Sequence, residues 1–145
     1  MFNPSFIDRP FASEAEMRDH IAANLGDLEP GLALHQRHPN TIEFKCSDVN
    51  GQPFRGRIDI LASDRQGGLV VIECKNGTAH ASALGQLLGY IAWLKAWFPS
   101  FQGRVRGFIV ASSASPFLLR AIELVPDIQI RVYEHPSPSQ LRRVI

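Results

Sequence analysis

The stretch GRIDILASDRQGGLVVIECKNG, residues 56–77, sets charged side chains inside two apolar runs. Asp59 stands between Ile58 and Ile60, while Glu73 and Lys75 follow Leu69, Val70, Val71 and Ile72. Short apolar runs bounded by turn residues read as strands, and a strand apolar on both faces belongs in the middle of a covered sheet. Charged side chains are rarely buried there without partners. Any fold available to this chain must therefore find a use for three charges at the centre of a sheet.

Elements on either side complete a mixed α/β pattern. Ser13 and Glu16 have capping-box spacing, so a helix is expected to start there. Glu14, Met17, Arg18, Ile21 and Leu25 form its stripe at helical spacing. A strand is expected near 41–47, a turn at Asn50-Gly51, a second strand through Asp59, and a third in LVVIECK. A long helix over about 79–98 is apolar nearly all round and is expected to be well buried. RVRGFIVAS reads as a strand, SPFLLRAIELV as a short helix with Pro116 at its favoured first position, and DIQIRVYEH as the last strand. The order α-β-β-β-α-β-α-β describes a central mixed sheet flanked by helices. No role is evident for the tail PSPSQLRRVI.

The 145 residues fit one domain with a substantial core. Two cysteines, Cys46 and Cys74, are too few for a disulfide framework and read as reduced thiols, which points to the cytoplasm. The first residues do not resemble a signal peptide, and no apolar run approaches a membrane span, so no membrane association is expected. A net charge of +1 argues against a protein that coats nucleic acid, but an enzyme acting on nucleic acid needs only a local basic surface.

Residues two apart on a strand share a face, so Glu73 and Lys75 project side by side. If the strand of Asp59 pairs beside them, two carboxylates come close enough to repel unless a cation lies between them. A hard divalent ion such as Mg²⁺ suits that position, because it takes few protein oxygens and favours phosphate ligands. Lys75 can then orient a water, stabilise charge on a phosphoryl group or, if desolvation lowers its pKa, accept a proton. Taken alone, a Glu73–Lys75 ion pair and an Asp59 accepting a turn hydrogen bond would account for the same residues.

Asp59 and Glu73-Cys74-Lys75 resemble the motif of the PD-(D/E)XK nuclease superfamily, whose fold is restriction-endonuclease-like. Gln86 and Tyr90 in GQLLGY match the Q-x-x-x-Y element of its RecB-like branch. The likeness is greatest to the C-terminal nuclease domain of NucS-type endonucleases and runs from about residue 14 to 110. Ile58 stands where the superfamily can carry a proline, one that is commonly absent.

The resemblance implies a metal-dependent nuclease acting on DNA. Asp59, Glu73 and the Cys74 carbonyl would hold Mg²⁺ or Mn²⁺, Lys75 would position or activate the attacking water, and Gln86 would steady the site. Tyr90 would support the site or touch the strand. Relatives often carry a glutamate on the first helix, a place Glu14 fills here; its position on the apolar stripe directs it toward the sheet. Non-catalytic binding on a nuclease fold, and a DNA-degrading defence or interbacterial effector, are the alternative uses. A homodimer or an accessory DNA-binding protein is a further expected partner.

Arg55 and Arg57 flank Gly56 just ahead of Asp59 and are candidates for gripping phosphates. His35 and His38 are weaker candidates for substrate contact. Gln86 is a polar residue on an apolar helix and is expected to need a buried partner. Trp93 and Trp97 continue its face and are expected to pack in the core.

Overall fold

A computed structural model describes residues 10–35, 41–46, 56–101, 104–133 and 141–143. Helix α1 spans Glu14–Ala23 and is followed by a 3-10 turn at Leu25–Asp27. Strands β1 (Ala33–Leu34), β2 (Ile42–Lys45), β3 (Arg57–Ser63) and β4 (Leu69–Ala79) come next. Helix α2 (Ala81–Trp97), strand β5 (Val105–Ala114), helix α3 (Pro116–Ile122) and strands β6 (Ile128–Tyr133) and β7 (Leu141–Arg143) complete the chain. The anticipated order is present, with two short strands added. One of them, β7, gives the tail a place: it pairs antiparallel with β6. The expected turn at Asn50-Gly51 lies outside the described residues.

The sheet runs β1-β3-β4-β5-β6-β7, and β2 shares the edge of β3 with β1. Pairing is antiparallel between β3 and β4 and parallel from β4 through β6. Helices cover both faces, which is why Leu69 to Ile72 are buried without alternation. On one face Met17, Ile21 and Leu25 pack with Val70, Ile72 and Phe108. On the other, Leu87, Ile91 and Leu94 of α2 and Leu118 and Ile122 of α3 pack with Val71, Ile109 and Ile130.

Local chemistry fixes the ends of these elements. Ser13 Oγ accepts the Glu16 N–H at 3.0 Å, and Ser115 Oγ accepts the Leu118 N–H at 3.1 Å, capping α1 and α3. Asp64 Oδ1 accepts the Gln66 and Gly68 N–H groups at 3.0 and 2.7 Å, closing the turn between β3 and β4. Arg106 at the start of β5 pairs with both Asp64 and Glu29, tying that turn to the segment after α1.

Helix α2 is less buried than its composition suggested. Leu88 and Trp97 are exposed, so Trp97 is not a core residue, whereas Trp93 is buried edge-on to Phe44. Where α2 meets the sheet, the approach is close: a Cβ on Gly107 would stand 3.0 Å from Leu87 Cδ2 and 3.2 Å from the Val71 carbonyl. Gly89, on the same helix, has open space around it. Gly107→Val is therefore expected to destabilise the fold by about 1–3 kcal/mol through overpacking. Gly89→Ala should stabilise it by up to about 1 kcal/mol through helix propensity. Urea denaturation of both variants checks this; a neutral Gly107→Val would contradict the packing described.

Candidate active site

Strands β3 and β4 stay paired from Ser63↔Leu69 to Ile60↔Ile72, and there the ladder ends. The next positions, Asp59 and Glu73, stand where the strands part. β3 continues beside β2, with Phe44↔Ile58 and Lys45↔Arg57, while β4 continues beside β5 through Glu73↔Ile109 and Lys75↔Ala111. In the fork the Cys74 N–H donates to Asp59 Oδ2 at 2.8 Å, so a side chain satisfies a backbone donor that β3 no longer reaches.

Glu73 is 4% exposed. Its Oε1 lies 3.5 Å from Lys75 Nζ, while its Oε2 is buried with no hydrogen-bond partner among the described residues. Burial, and then the charge of Asp59, push the Glu73 carboxyl up to about 8. Burial also raises Asp59; the Cys74 N–H opposes that rise, Glu14 adds to it, and Lys75 and Arg18 oppose it further. The ion pair and the backbone hydrogen bond that could have explained these residues without a site are both present. They leave the second Glu73 oxygen unanswered.

A divalent cation fits that deficit. Two desolvated carboxylates and an unpartnered buried oxygen are hard oxygen donors of the kind Mg²⁺ and Mn²⁺ accept. Among the described residues no three His, Cys, Asp or Glu side chains gather closely enough to hold a metal by themselves. A divalent ion held here would have to complete its donor set with backbone and water, as Mg²⁺ commonly does.

The remaining candidates fall around this centre unevenly. Glu14 is exposed and not directed into the core; its Oε1 accepts the Asn76 N–H at 3.4 Å, and its charge reaches Asp59 and Glu73 from the rim. Gln86 is exposed too, and its partner is the Tyr90 hydroxyl, reached by Nε2 at 3.1 Å. The expectation of a buried partner is met by Tyr90, but Gln86 itself stays in solvent because α2 turns that edge outward. Tyr90 is buried; burial and the Glu73 charge raise its phenol, while Gln86 and the Arg57 N–H hydrogen-bond to it. Tyr90 thus joins α2, β3 and the carboxylates.

Arg57 is exposed near Glu43, whereas Arg55 and His38 lie outside the described residues. His35 is buried with Nδ1 2.8 Å from Ser63 Oγ, at the other end of β3 from Asp59. Two residues escaped the sequence reading. Arg18, one turn beyond Glu14, sits close enough to act on Asp59, and its place on the α1 stripe was the available signal. Asn76 exchanges hydrogen bonds with the Phe11 backbone at 2.6 and 3.1 Å and anchors the segment before α1, for which the sequence offers no pattern.

The family model described as the endonuclease NucS C-terminal domain matches residues 13–145. The chain belongs to that family. It is 31% identical over 133 residues to the endonuclease NucS of Pyrococcus horikoshii, covering 90% of this chain and 51% of that protein. The NucS of Thermococcus kodakarensis is 32% identical over 131 residues, covering 90% and 46%. Among solved structures, an EndoMS–dsDNA complex aligns with a TM-score of 0.65 and 29% identity, covering 86% of this chain and 46% of that one. A repair endonuclease from Pyrococcus abyssi aligns with a TM-score of 0.65 and 28% identity, covering 87% and 49%. The chain therefore spans about half the length of these NucS relatives, and its restriction-endonuclease-like fold is theirs.

The raised Glu73 carboxyl sets a pH dependence. Near 4.5 when unfolded and about 8 in the fold, it keeps its proton in the folded chain across a window where the unfolded chain has lost it. Stability without divalent ions should therefore fall as pH rises from about 4.5 to 8. Glu73→Gln should flatten that slope and be the more stable protein at pH 8, by at least about 1 kcal/mol. Chemical denaturation in chelator at pH 5, 6.5 and 8 tests this, and identical slopes for the two proteins would count against it.

Proposed function

We propose that this chain is the catalytic portion of a divalent-metal-dependent DNA endonuclease that serves DNA repair. The observation that carries the reading is the Asp59–Glu73 pair, whose buried Glu73 Oε2 has no partner among the described residues. The names of the NucS relatives and of the EndoMS–dsDNA complex support the substrate class.

In this reading Asp59, Glu73 and the Cys74 carbonyl hold Mg²⁺ or Mn²⁺. An ion held there would supply positive charge at the phosphodiester and acidity to a nearby water. Lys75, ion-paired to Glu73, is a positioned cation that orients the attacking water and offsets charge on the phosphoryl oxygens. Tyr90 fixes the edge of the site through its hydroxyl, and Gln86 holds that hydroxyl in turn. Glu14 approaches from the rim and takes part through water. Arg57, exposed two residues ahead of Asp59, faces the incoming phosphate backbone.

Labelled single-stranded, duplex, flap and mismatched DNA, offered with Mg²⁺ or Mn²⁺, provides the test. Asp59→Ala and Glu73→Ala should each abolish cleavage. Lys75→Ala should lose at least about 100-fold in turnover, the scale of a removed charge-stabilising group, yet still bind Mn²⁺ by calorimetry. Unchanged metal-dependent cleavage by either carboxylate variant would end this reading. Glu14→Gln should lose far more turnover than Glu16→Gln, whose position the N-cap already explains; matched losses would remove Glu14 from the site.

A further inference from the structure

Glu43 is the non-glycine residue with left-handed backbone among the described residues, φ 55°, and it sits inside β2. L residues rarely adopt that conformation, least of all within a strand. Burial gives no reason for it, since the Glu43 side chain is 47% exposed. What the conformation does accompany is a shared contact. Glu43 Oε1 lies 2.7 Å from Arg18 Nη1 and 3.7 Å from Arg57 Nη1.

The two arginines come from different elements that both serve the candidate site. Arg18 is one turn after Glu14 on α1, and Arg57 is two residues before Asp59 on β3. Asp19 Oδ1 takes Nε and Nη2 of Arg18 at 3.1 Å, which holds its guanidinium in place and leaves Nη1 to Glu43. Two guanidinium groups converging on one anionic oxygen is the arrangement that receives a phosphate oxygen. The Arg57–Glu43 contact is exposed on both sides and at 3.7 Å contributes little to stability, so it does not account for the strained backbone.

We propose that Arg18 and Arg57 form a receiving site for a nucleic-acid backbone phosphate beside the scissile one, with Glu43 holding its place as a displaceable internal counter-ion. The proposal rests on the phosphodiesterase reading above. In the free protein Glu43 keeps the two arginines preformed and near neutral. A backbone phosphate takes over Arg57 and Nη1 of Arg18, and Glu43 withdraws into solvent, to which it is already open. No bond is made or broken in this exchange.

The test is binding of a fluorescein-labelled DNA duplex, followed by anisotropy in chelator across a salt series, beside cleavage of the same duplex with Mg²⁺. Arg18→Ala and Arg57→Ala should each weaken binding about three- to tenfold and lower the slope of log K against log salt by about one. Glu43→Gln should tighten binding about three- to tenfold in the wild-type background and leave it unchanged in Arg18→Ala/Arg57→Ala. Circular dichroism confirms that each variant is folded, and Arg18→Lys, which keeps the charge, should retain the wild-type salt slope. A gain from Glu43→Gln that persists without the two arginines would reduce Glu43 to a long-range charge and overturn the proposal. So would arginine variants that keep the wild-type slope while the wild type binds and cuts. A wild type that neither binds nor cuts DNA would overturn the phosphodiesterase reading along with it.

Discussion

The hydrogen bond from the Cys74 N–H to Asp59 Oδ2, 2.8 Å long, is where the sheet stops being a continuous ladder. Up to Ile60↔Ile72 the two central strands satisfy each other with backbone groups. Past that pair they diverge, and a carboxylate stands in for the missing carbonyl. The exchange has a large effect, because it fixes a negative charge in the fork between two strands that are otherwise apolar. Glu73 then stands buried beside Asp59, and among the described residues its ion-pair partner is Lys75 at 3.5 Å. Lys75 opposes the rise of both carboxylates, and Arg18 that of Asp59, yet both remain raised. Burial first, and then the neighbouring Asp59 charge, raise the Glu73 carboxyl to about 8, and Lys75 only partly opposes them.

The other elements are arranged around this fork. Helix α2 crosses closely over β5, at a glycine that admits Leu87, and so delivers the Tyr90 hydroxyl to the edge of β3. Helix α1 lies on the opposite face, where Met17 and Ile21 anchor it in the core and Glu14 and Arg18 extend toward the rim. The cores on the two faces thus act as mounts for the polar groups around the fork. Buried or crowded charge that does not stabilise a fold is retained for chemistry more often than for architecture.

Most of the architecture could be read from the residues, since the apolar periods are strong where the sheet is covered on both faces. LVVIECK could hardly be anything but a central strand, and Ser13 and Ser115 announced their helices. The Asp59, Glu73 and Lys75 group was legible for the same reason, being charge in the wrong place. Other features were not, and each for a physical cause. β7 has no apolar signature because it is a three-residue strand on the last pairing of the sheet. Leu88 and Trp97 are apolar yet exposed, so composition overstated the burial of α2. Gln86 was expected to need a buried partner, and Tyr90 is that partner, but the helix phase set by Leu87 and Tyr90 leaves Gln86 itself at the surface. Arg18 and Glu43 meet only through the tertiary fold, 25 residues apart in the chain, and neither alone breaks any local rule.

On the proposed reading, the Asp59–Glu73 pair would take up a divalent cation. The most direct measurement is calorimetric titration of Mn²⁺ at pH 7 in two buffers of different ionisation enthalpy. A carboxyl held near 8 carries its proton at that pH and must release it when the metal arrives. The apparent binding heat should change with the buffer by close to one proton per Mn²⁺ bound, and this dependence should fade at pH 9. Mn²⁺ binding whose heat is the same in both buffers at pH 7, or no binding at millimolar metal, would contradict it.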